Sequence, residues 1–401
     1  MIKICTKIIL TSALLAPYLY ADTTLISEKN VTKIEKPAFE TVWQKIYGGE
    51  DDDIAHAVVM LENGDNAIVG ECKSYDAKRS DICVTRITAD GATRWRKLLG
   101  GEKTDRGMAI SRAKDGNLLI LGSGKSFNKN ADRDLYVAKL SLEGKLLWEK
   151  SFGGNRDEYA GGIAGTNDGG AMIVGSTESF SKKGYKDIYI IHLDKNGDLI
   201  SKRTIGGKRN DEAKSLTRTA DGNFMLVGSR EVGRAGDADF FFMKLDQEGK
   251  KIWAKTLGQT DHDVINAVAP TPDGGIVATG STRSYNSEQT DLAVMYFNKE
   301  GKLIWFKIYG FKYYDEGNAI TMTKDGNYLV AGTTNSMGKG DFDTYIIALN
   351  SKGTLIWSKL YGDKNKDIAH GITRTTDGSV MVVGESDSYK RSKNFYMIKL
   401  K

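Results

Sequence analysis

Seven acidic residues recur along this chain at intervals of 52 or 53 positions. They are Asp53, Asp105, Glu158, Asp211, Asp263, Asp315 and Asp367. Carboxylates that converge on one place can hold a cation. A residue type present in every repeat is more commonly one that every repeat needs to fold, for example to accept backbone N–H bonds from a preceding glycine-rich turn. We therefore predict a structural acidic ring, with a cation-binding ring as the alternative.

The histidines are a second candidate for metal chemistry. His56 and His370 occupy equivalent repeat positions, and His262 lies between Asp261 and Asp263. Imidazole and carboxylate groups are ligands for zinc and copper, but histidines packed in a core are the commoner outcome. We predict no metal site and no cofactor. The acidic run 50–53 is interpreted as a solvated loop, with calcium binding as the weaker alternative.

Sequence signatures of catalysis do not stand out. The chain shows no Ser-His-Asp order, no nucleophile elbow, no cysteine-based zinc spacing and no phosphate-binding loop. We therefore assign no catalytic residue and predict that the protein is not an enzyme.

The tryptophans reveal the repeat that must position these residues. Six tryptophans and one serine stand 52 or 53 residues apart, at Trp43, Trp95, Trp148, Ser201, Trp253, Trp305 and Trp357. Seven units of this length are typical of propeller blades or solenoid arrays. Each unit also carries an Asn-Gly or Asp-Gly pair after its tryptophan, which is the preferred chemistry of a tight β-hairpin turn.

Each unit divides into four short strands. In the third unit we predict strands at 160–165, 171–175, 187–193 and 198–205, separated by two tight turns and one longer loop. Four-stranded antiparallel blades arranged around an axis form a β-propeller, which protects most of its sheet edges. The predicted fold is therefore all-β: a seven-bladed β-propeller over residues 41–401.

The two ends of the repeat region predict how the ring closes. The last unit stops at Leu400, at the end of its third strand, so its outer strand is missing. A spare copy of that strand lies at 41–47, around Trp43. We predict that this N-terminal strand completes the last blade, which removes an open sheet edge.

The repeats resemble a known group of propellers. The segments 193–200 and 140–148, the latter ending in Trp148, resemble the tryptophan-docked blades of PQQ-like propellers, and the combined glycine and tryptophan pattern resembles repeats of exported bacterial propellers without an assigned activity. The resemblance covers about residues 41–401 and implies the fold rather than a function. No quinone-site or calcium-loop signature accompanies it, so no quinoprotein chemistry is carried over.

The longer loop of each unit differs from blade to blade. Five of these loops place an aromatic residue directly after a serine, at Tyr75, Phe127, Phe180, Tyr285 and Tyr389, with lysines and arginines nearby. Such loops emerge on the same propeller face as the acidic residues. We predict that the five aromatics contribute to a docking face. The alternative is that they pack back onto the blades.

The N-terminus is predicted to direct export. Lys3 and Lys7 precede a short apolar run at 8–20, and Ala21 offers a cleavage position, so residues 1–21 are interpreted as a signal peptide. An uncleaved membrane tether is the alternative. Residues 22–40 are predicted to form an exposed linker, in which Asn30 heads an Asn-X-Thr sequon and is a glycosylation candidate.

Cleavage of that signal would leave two cysteines, Cys72 and Cys83. They lie on the two arms of one predicted hairpin, and would face each other if its loop closed symmetrically. In an oxidising compartment we predict a disulfide between them. Two buried free thiols are the alternative.

The net charge and the predicted location limit the possible functions. The formal net charge is +5, and no basic run suggests a nucleic-acid partner. We predict a monomeric, non-catalytic periplasmic or secreted scaffold that binds a protein partner of the cell envelope, without a membrane span after signal cleavage. The alternative location is secreted or outer-membrane associated. The alternative function is a propeller that binds a small ligand or metal at the channel mouth, as a binding protein or as an enzyme.

Overall fold

The computed structural model describes residues 23–26 and 39–401, apart from positions 131, 182–183, 234–236, 286, 288 and 391. Within those residues the chain forms strands and turns and no helix. No described helix could therefore cross a membrane. The predicted signal peptide, most of the predicted linker and the glycosylation candidate Asn30 lie outside the described residues.

Twenty-eight strands form seven four-stranded antiparallel sheets, the blades of a seven-bladed propeller. We number the blades from Asp53. The inner strands are Asp53–Met60, Asp105–Arg112, Glu158–Gly165, Asp211–Arg218, Asp263–Pro270, Asp315–Met322 and Asp367–Arg374. The second strands are Asn66–Cys72, Leu118–Gly124, Ala171–Thr177, Phe224–Glu231, Ile276–Thr282, Tyr328–Thr334 and Val380–Ser386.

The other two strands of each blade lie farther from the axis. The third strands are Asp81–Ile87, Asp134–Leu140, Asp187–Leu193, Ala238–Leu245, Asp291–Phe297, Asp343–Leu349 and Asn394–Leu400. The outer strands of blades 1 to 6 are Thr93–Leu99, Leu146–Phe152, Leu199–Ile205, Lys251–Leu257, Leu303–Tyr309 and Leu355–Tyr361. The second and third strands are buried almost throughout because neighbouring blades cover both of their faces.

The outer strand of blade 7 comes from the other end of the chain. Thr41–Tyr47, which we call the closing strand, pairs antiparallel with Asn394–Leu400, with Thr41 opposite Leu400 and Tyr47 opposite Phe395. Backbone hydrogen bonds of 2.7 and 2.9 Å join Glu40 and Lys401 in both directions. The predicted exchange of a strand between the two ends is confirmed.

A short additional strand extends blade 5. Thr23–Ile26 lies parallel to the outer strand Leu303–Tyr309, with Thr23 opposite Phe306 and Ile26 opposite Tyr309. Blade 5 therefore has five strands, and part of the segment predicted as an exposed linker is paired with the propeller.

Three of the six tryptophans of the repeat join neighbouring blades. Their indole N–H groups donate to a carbonyl in the turn between the third and outer strands of the next blade, whereas the buried indole N–H of Trp43 has no partner among the described residues. The pairs are Trp95–Leu142 (2.8 Å), Trp148–Lys195 (3.1 Å) and Trp305–Ser351 (3.1 Å). Where Ser201 replaces tryptophan, Arg203 donates to the carbonyl of Gly249 in that turn instead, at 3.5 Å.

A disulfide joins Cys72 and Cys83, as predicted, with their Cα atoms 5.5 Å apart. The expectation that the two residues lie directly opposite each other is wrong. The third strand pairs from its first residue, so that Cys72 lies opposite Asp81 and Cys83 lies opposite Gly70. The bridge is therefore diagonal, and both cysteines are buried at the contact between blades 7 and 1.

Loss of this disulfide should destabilise the propeller by about 2–3 kcal/mol, because the bridge closes a loop of 11 residues in the unfolded chain. We expect the variant Cys72→Ala/Cys83→Ala to unfold at lower urea concentration than the oxidised protein, and close to the reduced protein. Reductant should not change the variant further. An oxidised protein as labile as the variant would contradict the prediction.

Candidate functional site: the loop face and the channel

Two sets of loops meet on one side of the ring, which we call the loop face. The inner loops connect the outer strand of one blade to the inner strand of the next. The long loops connect the second and third strands, and span 73–80, 125–133, 178–186, 232–237, 283–290, 335–342 and 387–393. Because strand direction alternates within each blade, both sets emerge on the same side, while the tight turns occupy the opposite turn face.

The seven acids lie where these loops meet, and each begins an inner strand. These seven residues are at most 3% exposed. Asp53 accepts backbone N–H bonds from Gly49 (2.9 Å), Lys73 (3.1 Å) and Ser74 (3.2 Å), and so joins an inner loop to a long loop. None of the seven lines either of the two cavities described below. These contacts favour the structural interpretation over a cation-binding ring.

Burial sets the electrostatics of several acids in this set. It raises the pKa of Asp105, Glu158, Asp263 and Asp315 by more than the surrounding hydrogen bonds lower it. The Arg230 guanidinium beside Asp211 lowers the pKa of that carboxyl, but again by less than burial raises it.

The serine of the repeated serine–aromatic pair also joins the two sets of loops. Its hydroxyl oxygen accepts a backbone N–H bond from the inner loop of the same blade. The bonds are Asp51 to Ser74 (3.2 Å), Lys103 to Ser126 (3.0 Å), Arg156 to Ser179 (2.9 Å) and Asn365 to Ser388 (3.1 Å). The serine therefore supports the loop face, and the variable residue is the aromatic that follows it.

The five predicted aromatics divide into two groups. Phe127 stacks on Tyr136 at a ring-centroid distance of 4.1 Å, and Tyr285 packs edge-on against Phe306 at 5.0 Å, so both are largely covered. Phe127 and Tyr285 therefore pack back onto the blades, which was the alternative interpretation.

Tyr75, Phe180 and Tyr389 are 37%, 39% and 48% exposed. The Arg96 guanidinium lies 3.8 Å from the ring centroid of Tyr75, and Lys202 lies 5.0 Å from that of Phe180. Such contacts orient an aromatic ring while leaving its other face in solvent.

Two further exposed aromatics lie on the loop face, and sequence reasoning missed both. Tyr185 follows the serine–aromatic pair within its long loop, and Tyr313 belongs to an inner loop; each is 43% exposed. The available signal was simply an aromatic residue in a loop segment between predicted strands.

A polar cavity of about 380 Å³ opens at the channel mouth between blades 4, 5 and 6. Glu212 pairs there with Lys186 (3.0 Å) and Lys214 (2.6 Å). Burial alone would raise the pKa of Glu212, but the two lysines lower it to about 2. Glu316 accepts hydrogen bonds from Asn266 (2.8 Å) and the Ser281 hydroxyl (3.3 Å). We call this cavity the mouth pocket.

The mouth pocket was also missed from the sequence. Glu212 and Glu316 directly follow an acid of the repeat, at a position that is aliphatic in three other blades, as in Ile54, Val264 and Ile368. A change from apolar to acidic residues at one repeat position was therefore the available sequence signal for this pocket. The position lies at the start of the inner strand, so a polar residue there is placed at the channel mouth.

The channel itself is a cavity of about 740 Å³ lined by all seven inner strands. His56 and His370 lie side by side in its wall, with ring centroids 5.3 Å apart, as their equivalent repeat positions predict. Burial, His370, Arg106 and Lys393 lower the pKa of His56 to about 3, and burial and Lys393 lower that of His370 to about 4. Both imidazoles are therefore neutral at pH 7.

Metal chemistry finds little support in this arrangement. Among the described residues, no three histidine, cysteine or acidic side chains are grouped so that they could hold a metal ion. The expected absence of a metal site stays a prediction.

Comparison with known proteins gives the fold and one distant relative. No protein-family model matches the chain. It is 23% identical over 227 residues to the regulatory protein FlaEY of Caulobacter vibrioides, which covers 48% of this chain and about a quarter (24%) of that relative.

Two solved propellers are similar in structure. A protein of unknown function from Dyadobacter fermentans has a TM-score of 0.54 at 11% identity, covering 91% of this chain and all (100%) of that one. The Pan2 WD40 domain of Neurospora crassa has a TM-score of 0.54 at 11% identity, covering 90% and 95%. At these identities the similarity shows the propeller fold alone.

Proposed function

We propose that this protein is a non-catalytic, exported interaction module that binds an acidic protein partner of the cell envelope through its loop face. The disulfide is compatible with an oxidising, extracytoplasmic location. The observation that carries the proposal is the distribution of exposed apolar side chains over the surface.

All exposed aromatic side chains of the described residues lie on the loop face: Tyr75, Phe180, Tyr185, Tyr313 and Tyr389. Nearly all other large exposed apolar side chains are aliphatics of the outer strands, namely Val42, Leu147, Leu199, Ile200, Ile252 and Ile304. Aromatic residues are enriched in protein interfaces and dominate their binding energy, whereas scattered exposed aliphatics are ordinary surface.

Charge selects an acidic partner for this surface. Cations outnumber acids in the described loops of the loop face. The cations include Lys78, Arg79, Lys103, Lys125, Lys129, Arg156, Lys208, Arg209, Lys312, Lys339, Lys364 and Lys390, and the acids include Glu50, Asp51, Asp52, Asp157 and Asp261. The turn face instead repeats aspartates, at Asp115, Asp168, Asp221, Asp273, Asp325 and Asp377. A positive face orients an acidic partner during encounter and disfavours a basic one.

The test compares partner capture by matched variants. The tagged mature protein is crosslinked mildly in the envelope of its native host and purified at low and high salt. We expect the variant Tyr75→Ala/Phe180→Ala/Tyr389→Ala to lose at least about tenfold of the captured partner, since each removed aromatic anchor contributes more than about 1 kcal/mol. High salt should weaken capture by the unmodified protein.

A matched control removes three exposed apolar side chains elsewhere. Leu147→Ala/Ile200→Ala/Ile252→Ala should capture the partner like the unmodified protein, and both triple variants should melt within a few degrees of it. Equal capture by the aromatic variant, or capture of a partner without acidic character, would overturn the proposal.

Binding of a small ligand at the channel mouth is the second candidate. The observation that favours it is the mouth pocket with its two carboxylates, Glu212 and Glu316. The variant Glu212→Gln/Glu316→Gln separates the two ideas, because it leaves the loop-face aromatics intact. Partner capture should survive in this variant if the loop face is the binding surface.

A further inference from the structure

The outer edge of blade 5 differs from the outer edges of the other blades because an added strand covers it. Thr23–Ile26 pairs in parallel with the last four residues of the outer strand, from Phe306 to Tyr309. Among the described strands, no other blade has a fifth member. The edge of a sheet exposes unpaired N–H and C=O groups, and an added strand supplies partners for them. The edge of blade 5 therefore accepts an extended chain.

The sequence of this edge explains why blade 5 is the blade that is extended. Phe306 follows the repeat tryptophan, at a position where the other six blades carry charged, polar or small residues. These residues are Gln44, Arg96, Glu149, Lys202, Ala254 and Ser358. The last four residues of the outer strand are all buried in blade 5, and in none of the other six outer strands. Charged residues on an edge oppose strand addition, and this segment is the most apolar of the seven.

The strand that occupies the edge is short. It has four residues, whereas Leu303–Tyr309 has seven, so Leu303, Ile304 and Trp305 have no strand partner on that side within the described residues. A short strand near a chain end is held by few hydrogen bonds and is among the least stable parts of a fold. A longer strand from another chain would pair with more of the edge and can displace it.

The direction of the added strand connects this edge to the loop face. Outer strands run from the turn face to the loop face, so a parallel strand ends at the loop face, beside Tyr309. The inner loop that follows Tyr309 carries Tyr313, one of the exposed aromatics of the loop face. A protein bound at the loop face therefore reaches the outer edge of blade 5 without crossing another blade.

We propose that the outer edge of blade 5 is a strand-addition site for an extended, uncharged segment of the protein that binds the loop face. The segment takes the place of Thr23–Ile26, whose sequence Thr-Thr-Leu-Ile has the residue types that suit the site, namely uncharged, β-branched and apolar ones. Main-chain hydrogen bonds supply the affinity, as in β-strand addition generally. The source of the segment rests on the proposed docking function, whereas the site itself does not.

The experiment measures binding of a fluorescent synthetic peptide of residues 22–28 to the intact mature protein by anisotropy. In the variant Thr24→Pro/Leu25→Pro, two successive prolines remove N–H groups on both sides of the chain's own strand, which frees the edge. We expect saturable binding of one peptide per chain to this variant. The Kd of the unmodified protein should be at least tenfold higher, because its own strand occupies the site.

A locked variant gives the opposite comparison. Thr24→Cys/Lys307→Cys places cysteines at residues that lie opposite each other, and their disulfide should abolish peptide binding. A peptide that carries the two prolines should not bind any of these proteins. If the engineered disulfide does not form, hydrogen exchange provides the second measurement. The amides of 306–309 should lose protection in the proline variant and regain it when the peptide is added.

The loop-face variant Tyr75→Ala/Phe180→Ala/Tyr389→Ala separates this site from the docking function. Introduced together with the two prolines, it should leave the Kd of the peptide within twofold, because the peptide does not contact those aromatics. No saturable binding to the proline variant, equal binding to the locked variant, or protection of amides in another blade would overturn the strand-addition site. Each of these results would leave the loop-face proposal standing.

Discussion

A chain that begins at Gly48 and therefore lacks the closing strand is expected to lose its cooperative unfolding transition or to unfold at least about 4 kcal/mol more easily. The closing strand pairs along Asn394–Leu400 and covers side chains that are otherwise buried, such as Phe395 and Met397. Its own Trp43, Ile46 and Tyr47 pack against blade neighbours. Burial of one such side chain contributes about 1.5–3 kcal/mol.

The matched control is a chain that begins at Phe39, which keeps the closing strand and removes only the segment before it. Urea unfolding followed by tryptophan fluorescence and circular dichroism compares the two. A synthetic peptide of residues 39–48, added to the shorter chain, should restore part of the lost stability by pairing with blade 7. Equal stability of both chains would show that the ring does not depend on this strand.

Replacement of a repeat acid should be nearly as damaging, although it removes only one side chain. Asp53→Ala leaves the N–H groups of Gly49 and Ser74 without their acceptor, whereas the Lys73 N–H keeps the carbonyl oxygen of Asp52, 2.9 Å away. One unsatisfied buried donor costs about 1–3 kcal/mol, and partial access of water to these loops limits the sum. We expect a loss of about 2–4 kcal/mol in the free energy of unfolding.

Asp51→Ala is the control, because Asp51 lies two residues away and its side chain is exposed. It should change the free energy of unfolding by less than about 0.5 kcal/mol. Asp53→Asn should fall between the two, since the amide keeps one acceptor oxygen and sets an NH₂ group against the remaining donors. If Asp53→Ala proved as stable as Asp51→Ala, the acids would need another explanation, and cation binding would be the first to examine.

Much of the fold was predictable because one period governs the whole chain. The spacing of the tryptophans gave the blade number, and the missing outer strand at Leu400 together with the spare copy at Trp43 predicted the ring closure. These features repeat, so each unit supports the interpretation of the others. The pairing register inside a hairpin does not benefit in this way. The prediction that Cys72 and Cys83 lie directly opposite each other was wrong for this reason. The residue at which their loop closes depends on local backbone geometry, which the repeat does not specify.

The candidate sites were harder to predict because they depend on side chains that differ between equivalent positions of the seven blades. Phe127 and Tyr389 occupy equivalent positions after a serine, yet Phe127 stacks closely on Tyr136 while Tyr389 stays exposed near Tyr396. The difference arises from ring orientation, which spacing does not encode. The mouth pocket likewise combines side chains from three blades, and their convergence is visible only once the ring is closed.

Ring closure also has a kinetic consequence during synthesis. Thr41 is made early in the synthesis of the propeller, and its partner Leu400 follows about 359 residues later. At 5–20 residues per second, the closing strand waits roughly 20–70 s for that partner. An unpaired strand that carries apolar residues can pair with other chains in that interval. Gln44 and Lys45 lie within this strand, and polar and charged residues there reduce aggregation of the nascent chain until the last blade emerges.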